Sequence, residues 1–214
     1  MVVAIDGPAG SGKSTIARIL ADRLGFYFLN TGSFYRAYTL AQLKRGLDPL
    51  DRDSVLSTAN DVSITVENGD ICIDGVDAEK ELHTPLVDSY CSQVSSDPRL
   101  RELVNKEVRE LAKGLDIVTE GRDTTTAIFP DADYKFYFDA SAEIRASRRA
   151  KEQGKDADYD AILKAIIERD KRDREKETGA LKIADNAVYI DTSALTIEQV
   201  CETVERTMQE HNAL

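Results

Sequence analysis

Residues 7–14 read Gly-Pro-Ala-Gly-Ser-Gly-Lys-Ser and follow directly on the apolar run Val2-Val3-Ala4-Ile5. Gly7, Gly10 and Gly12 let the backbone curl until successive N–H groups point inward. That makes a cradle for phosphate oxygens, and larger side chains would block the approach. Lys13 adds a point charge for the outer phosphates, and Ser14 offers a hydroxyl to a magnesium ion. Pro8, Ala9 and Ser11 complete the loop. Thr15 falls in the first turn of the helix that follows, whose positive end faces the anion. The pattern G-x-x-x-x-G-K-S carries weight here because both flanking elements are present. A strand precedes it, and Ile16, Ile19, Leu20 and Leu24 line one face of a helix that Gly25 stops. The ligand implied is a nucleoside triphosphate with magnesium.

The second chemistry-bearing group is cationic. Arg145, Arg148, Arg149, Arg169, Arg172 and Arg174 crowd into one stretch, with Lys171 and Lys176 among them. The chain as a whole is acidic, with 28 Lys and Arg against 39 Asp and Glu and a net charge of −11. A long polyanion would be repelled, so nucleic acid is not an expected partner. A focused cationic pocket in an acidic protein suits small anionic substrates. Arg36 lies just past the end of a strand, where open α/β sheets bind ligands. Glu120 and Asp123 follow another strand, and either could hold magnesium through water. The two histidines, His83 and His211, lie away from that edge. This fits transfer to a phosphate acceptor, which needs no general base. A hydroxyl acceptor stays open, because Asp123 could take its proton.

The elements that position these residues are legible as an α/β fold. Short apolar strands at Val2–Ile5, Phe26–Leu29, Leu115–Val118, Tyr134–Phe138 and Ala187–Ile190 alternate with helices, which describes a P-loop NTPase with a five-stranded parallel sheet. Thr31 or Ser33 can cap the helix after the second strand. Between Pro49 and Pro85 the rhythm breaks. Val62–Val66 and Asp70–Asp74 alternate apolar and polar around Asn68-Gly69, a hairpin signal. The expected organisation is one domain over 1–214, with an inserted lobe over 31–90 and a short helical lid over 145–176. Ser141 can cap the first lid helix, with Glu143 in its first turn. Three cysteines, Cys72, Cys91 and Cys201, are odd in number and lack a C-x-x-C pair, which argues against a disulfide framework or a zinc site. No apolar run is long enough to span a membrane, and a cytoplasmic monomer is expected.

Several short motifs together resemble one family. The loop, Thr31-Gly32-Ser33-x-Tyr35-Arg36, Ser92-Gln93-Val94 with Pro98-Arg99-x-Arg101, Gly121-Arg122-Asp123 with Phe129-Pro130-Asp131-Ala132, Arg169-Asp170-x-x-Asp173 and Asp191-Thr192 look like bacterial cytidylate kinase, over nearly the whole chain. The resemblance implies transfer of the γ-phosphate of ATP to CMP or dCMP, with magnesium as cofactor. It places Ser33, Tyr35 and Arg36 near the acceptor nucleotide, and Gly121 and Arg122 at its phosphate. Ser92, Arg101 and Asp123 would read the base, and Arg169 and Asp173 would address sugar and phosphate. Arg145 and Arg149 would serve the lid and the donor phosphates. Lys13, Arg122 and Arg169 would carry catalysis, and the lobe would hold the monophosphate. A P-loop kinase acting on another monophosphate or a small hydroxyl acceptor is the alternative. A GTP switch is disfavoured, since Asn105-Lys106-Glu107-Val108 lacks the aspartate of its base-reading motif.

The chain departs from the family's usual pattern in places. Lys176 stands where arginine is usual, and His83 replaces an arginine of the insert. Ala180 replaces a proline, and Thr125 replaces the glycine of G-R-D-x-G-T, a residue expected to relax the backbone.

Overall fold

The structure is a computed structural model that describes residues 1–67 and 69–212. It divides into two compact units, one formed by residues 1–28, 115–176 and 180–214, the other by residues 29–114 and 177–179.

The first unit is built on β1 (Val2–Asp6), which leads through the loop into α1 (Lys13–Leu24). Gly25 ends α1 in the left-handed conformation, its N–H returning to the carbonyls of Ala21 and Asp22. β2 (Tyr27–Asn30), β6 (Ile117–Gly121), β7 (Tyr134–Asp139) and β8 (Val188–Asp191) complete a five-stranded sheet in the order β2-β6-β1-β7-β8. β1 runs parallel to β6 and to β7, and β8 parallel to β7. Register sets Asp6 beside both Gly121 and Tyr137, so the carboxyl ends of three strands lie level. One face of the sheet buries Val3, Ile5, Phe136, Phe138 and Ile190 against Ile16 and Leu20 of α1 and Val200 and Val204 of α9 (Ile197–Asn212). This alternation and the helical spacing both match the sequence pattern. α7 (Ala142–Gln153) and α8 (Tyr159–Glu175) pack on each other. Ser141 Oγ accepts from Ile144 N and caps α7 as expected.

The second unit centres on α2 (Thr31–Lys44), which buries Phe34 and Tyr38 completely or nearly so. It packs against α3 (Arg52–Asp61), α5 (Pro85–Val94) and α6 (Pro98–Leu111). The helix starts one residue earlier than expected. Asn30 is its N-cap, without a side-chain cap bond, so neither Thr31 nor Ser33 has that role. β3 (Ile64–Glu67) and β4 (Asp70–Ile73) pair antiparallel, as the alternation predicts, although Asn68 lies outside the described residues. β5 (Val76–Asp77) adds a third strand that the sequence pattern does not reveal, and a one-turn α4 (Glu79–Leu82) follows.

Candidate active site

Lys13 opens α1 and is buried, its Nζ donating to the Pro8 carbonyl at 3.1 Å and lying 3.8 Å from Glu120 Oε2. Three glycines shape the loop before it, each in its own way. Gly7 admits no side chain, because a Cβ there would run into the Phe138 carbonyl oxygen. Gly10 and Gly12 take φ of +79° and +88°, left-handed backbone that gives the loop its curl, and Gly12 is the N-cap of α1. A Cβ on Gly10 would also press on Arg145 Cβ at 3.3 Å, whereas one on Gly12 would meet Ile16 at an ordinary 3.5 Å. Backbone conformation is therefore what reserves position 12 for glycine, and close approach adds to it at position 10.

Ser14 Oγ donates to Glu120 Oε1 at 2.7 Å, so of the two carboxylates left open for magnesium Glu120 is the one joined to Ser14. A hydroxyl and a carboxylate side by side are hard oxygen donors, which suit magnesium. Among the described residues no group of three or more His, Cys, Asp or Glu could hold a metal ion by itself. A site that takes its remaining ligands from phosphates and water fits that donor set.

Three cations gather around Asp173. Arg122 Nε donates to Asp173 Oδ2 at 3.0 Å, Arg169 Nε lies 4.0 Å from the same oxygen, and Lys176 Nζ lies 3.4 Å from Oδ1. Burial opposes ionisation of Asp173, yet Arg122, Lys176 and Arg169 hold its carboxyl below the usual range. Burial, and then Arg122 and Arg169, push the Lys13 ammonium down to about 7, with Glu120 acting in the opposite sense. Arg122 and Arg169, distant in sequence, therefore act on the charge in the phosphate loop. Lys176 reaches Asp173 as a single point charge rather than through a planar fork.

Arg145 differs from expectation. It is buried, and its guanidinium makes four bonds to protein acceptors: Ala140 O at 2.8 Å, Ala9 O at 3.1 Å and both oxygens of Asp170 at 3.0 and 2.5 Å. It clamps the loop backbone to α8 instead of standing open as a lid cation. Arg149 is half-buried on α7, and Arg148 donates to Thr192 O at 2.6 Å. A cavity of about 650 Å³, lined among others by Ser141, Lys171, Arg174 and Tyr189, adjoins Arg145 but includes none of residues 7–15.

Sequence reasoning passed over Asp6. This wholly buried carboxylate ends β1 immediately before the loop and accepts from Thr124 N at 2.8 Å, Thr125 N at 2.7 Å and Thr125 Oγ1 at 2.6 Å. Its signal was an acid closing an otherwise apolar strand. Thr125 needs no glycine-like backbone, since Asp74 is the one non-glycine residue with positive φ among those described. The chain instead winds into a single π-helical turn over Thr124–Ile128, and the carbonyl of the buried Asp123 accepts from Ala127 N at 2.8 Å. Such turns are rare and frequent at functional sites.

In the second unit, α2 carries Ser33, Tyr35 and Arg36, the first two buried. Arg36 donates to Leu82 O at 2.9 Å and to Asp88 Oδ1 at 2.6 Å, tying α2 to α4 and α5. Arg101, buried on α6, donates to Ser95 O at 2.9 Å, and its Cζ stands 5.2 Å from the centre of the Tyr35 ring. Ser92 is half-buried on α5, and His83 Nε2 lies 3.1 Å from Glu79 Oε1.

A phosphate loop leaving the central strand of this sheet order makes the chain a P-loop kinase in fold. Shikimate kinase from Bacteroides thetaiotaomicron shares the fold at TM-score 0.51 and 12% identity over 98% of both chains. An uncharacterised protein from Eubacterium ventriosum does so at TM-score 0.57 and 10% identity, again over 98% of both. Sequence narrows the class. The family model described as cytidylate kinase matches residues 3–210, and the chain belongs to that family. A cytidylate kinase of Clostridium botulinum is 39% identical over 94% of each chain. Those of Caldanaerobacter subterraneus and Rhodopirellula baltica are 40% identical over 94% of this chain and 92% of theirs, and 39% identical over 98% and 93%.

Proposed function

We propose that the protein transfers the γ-phosphate of ATP to CMP or dCMP, yielding ADP and CDP or dCDP. The observation that carries the chemistry is the buried Lys13 3.8 Å from Glu120, which accepts from Ser14, with Arg122 and Arg169 gathered at Asp173 in the same unit. Phosphoryl transfer asks for positioning and charge neutralisation rather than covalent help. The backbone N–H groups of the loop, Pro8 excepted, and Lys13 hold the triphosphate, Arg145 fixes the loop through its bond to Ala9 O, and Arg149 is assigned to the donor phosphates. Ser14, backed by Glu120, would hold magnesium, which supplies further neutralisation of phosphate charge.

Gly121, Arg122, Asp123, Arg169 and Asp173 on the first unit, and Ser33, Tyr35, Arg36, Ser92 and Arg101 on the second, are assigned to the acceptor. An oxygen of the acceptor phosphate attacks the γ-phosphorus. The bond to the β,γ-bridging oxygen breaks, and its electron pair leaves with ADP. The attacking oxygen is already anionic, so no proton need be abstracted. Asp123 accepts from the exocyclic amino group of cytosine and Arg101 donates to its carbonyl, whereas uracil offers a carbonyl in place of the amino group. The reading includes a cytoplasmic monomer working on free nucleotides, in keeping with the net charge of −11.

ADP formation measured with CMP, dCMP, UMP, AMP and GMP tests it. CMP and dCMP should exceed UMP by at least about tenfold in kcat/KM, the effect of one well-made base contact. Equal turnover of CMP and UMP would overturn the base assignment.

A further inference from the structure

Among the described residues, Asp6 is the buried carboxylate beside the phosphate loop to which the transfer reaction assigns no part. We infer that Asp6 and Thr125 form a clasp that positions Arg122 and Asp123 for the acceptor nucleotide, making Thr125 a positioning residue for acceptor binding; the inference rests on the kinase reading above.

The argument begins with topology. β1 and β6 are neighbours in register, Asp6 opposite Gly121, and each strand ends in a functional turn. After Asp6 the chain enters the phosphate loop, and after Gly121 it delivers Arg122 and Asp123. Nothing in parallel pairing fixes how two such turns sit beyond the last strand residues. The Asp6 carboxylate does so by taking three donors from the residues just past Asp123: two amides and the Thr125 hydroxyl, all within 2.6–2.8 Å. The two amides also define where the π-helical turn begins, and that turn folds back on the Asp123 carbonyl. The peptide unit that joins Asp123 to Thr124 is thus hydrogen-bonded at both its N–H and its carbonyl.

A buried carboxylate is costly to keep, and burial pushes its pKa up to about 6 despite the three bonds. Asp123 adds to that rise, while Lys13, Arg122 and Tyr137 also feel the Asp6 charge. An apolar residue would serve packing alone better, so geometry is the reason to retain it. The Thr125 hydroxyl is a bond that a glycine at this position could not supply. The chain's departure from the usual pattern therefore adds a contact to the carboxylate in place of backbone freedom.

Equilibrium binding of CMP and, separately, of ATP is compared for the unmutated protein, Thr125→Val and Thr125→Ser. Valine keeps the shape and both amides but loses the hydroxyl; serine keeps the hydroxyl. Removing a hydrogen bond to a charged group should weaken CMP binding about tenfold in Thr125→Val. ATP affinity should stay within about twofold, and Thr125→Ser should keep both affinities. Equal loss of both ligands, unchanged CMP affinity, or a serine variant as weak as valine overturns the clasp. If Thr125→Val does not fold, Thr125→Gly, which also lacks the hydroxyl, is read by the same criteria. An unmutated protein that binds no CMP sinks the kinase reading and this inference together. CMP binding that survives in the unmutated and valine proteins alike overturns the clasp alone.

Discussion

Burial, with Arg122 and Arg169 acting in the same sense, disfavours the charge of Lys13, and a triphosphate is a ligand that would relieve it. Lys13→Ala should lower kcat/KM for ATP by at least about a hundredfold, the usual loss when a preorganised charge at a transition state is removed. ADP production under CMP saturation checks it. Lys13, like Gly10 and Gly12 before it, is legible from a fixed spacing of near neighbours. Asp6 is not, because its donors lie 118 and 119 positions away. Asp6 also makes a thermodynamic prediction. Its folded pKa of about 6 lies above the ordinary 3.8, so the folded state keeps a proton that the unfolded chain sheds between those values. Stability contributed by that proton is fully present below about pH 4 and is lost as pH rises through 6, by about 3 kcal/mol in all. In Asp6→Asn this part of the pH dependence should vanish, whatever the variant loses by setting an amide nitrogen against an N–H donor. Denaturant unfolding from pH 4 to 7 gives the two slopes, and coincident slopes would show that Asp6 titrates normally.

Periodic elements were legible and short or weakly apolar ones were not. α1, α6 and α9 each present an apolar stripe, and Asp97, Pro98 and Ser141 mark helix starts by known capping chemistry. α3 escapes the pattern because it buries only Val55, Thr58 and Ala59, too few for a stripe, although Asp51 caps it by accepting from Asp53 N and Ser54 N. The α7–α8 pair was visible as two charged helices, but not what its arginines do. The pairing of Arg145 with Asp170 spans 25 residues and depends on how the helices cross. Removing one partner of a buried pair leaves the other uncompensated, so Arg145→Ala should cost about 3–5 kcal/mol. Arg145→Ala/Asp170→Ala should be less destabilised than the two single variants summed, a coupling that thermal unfolding of the four proteins measures. The same variant frees Ala9 O and should raise KM for ATP more than KM for CMP. Fully additive effects on stability would mean that the two side chains do not act together.

At the scale of the whole chain, sequence order and compactness part company. The second unit takes residues 29–114 and then a separate three-residue segment, Glu177–Gly179, which no contiguous insert over 31–90 could include. The reason is specific. Thr178 Oγ1 donates to Ser96 O at 3.4 Å, and Gly179, at φ +67°, lies so close to Arg101 that a Cβ would overlap its guanidinium. Arg101 is therefore bounded by Tyr35, by the Ser95 carbonyl and by a backbone that must lack a side chain. Gly179→Ala opposes this arrangement twice, through left-handed strain of roughly 1–2 kcal/mol and through displacement of the guanidinium. If Arg101 reads the acceptor base, the variant should lose about tenfold in the ratio of kcat/KM for CMP over UMP, with KM for ATP within about twofold. Steady-state rates with the two acceptors decide it. A variant whose base preference matches the unmutated protein, while its stability falls by the strain alone, would show that Arg101 supports α6 and Tyr35 without reading the base.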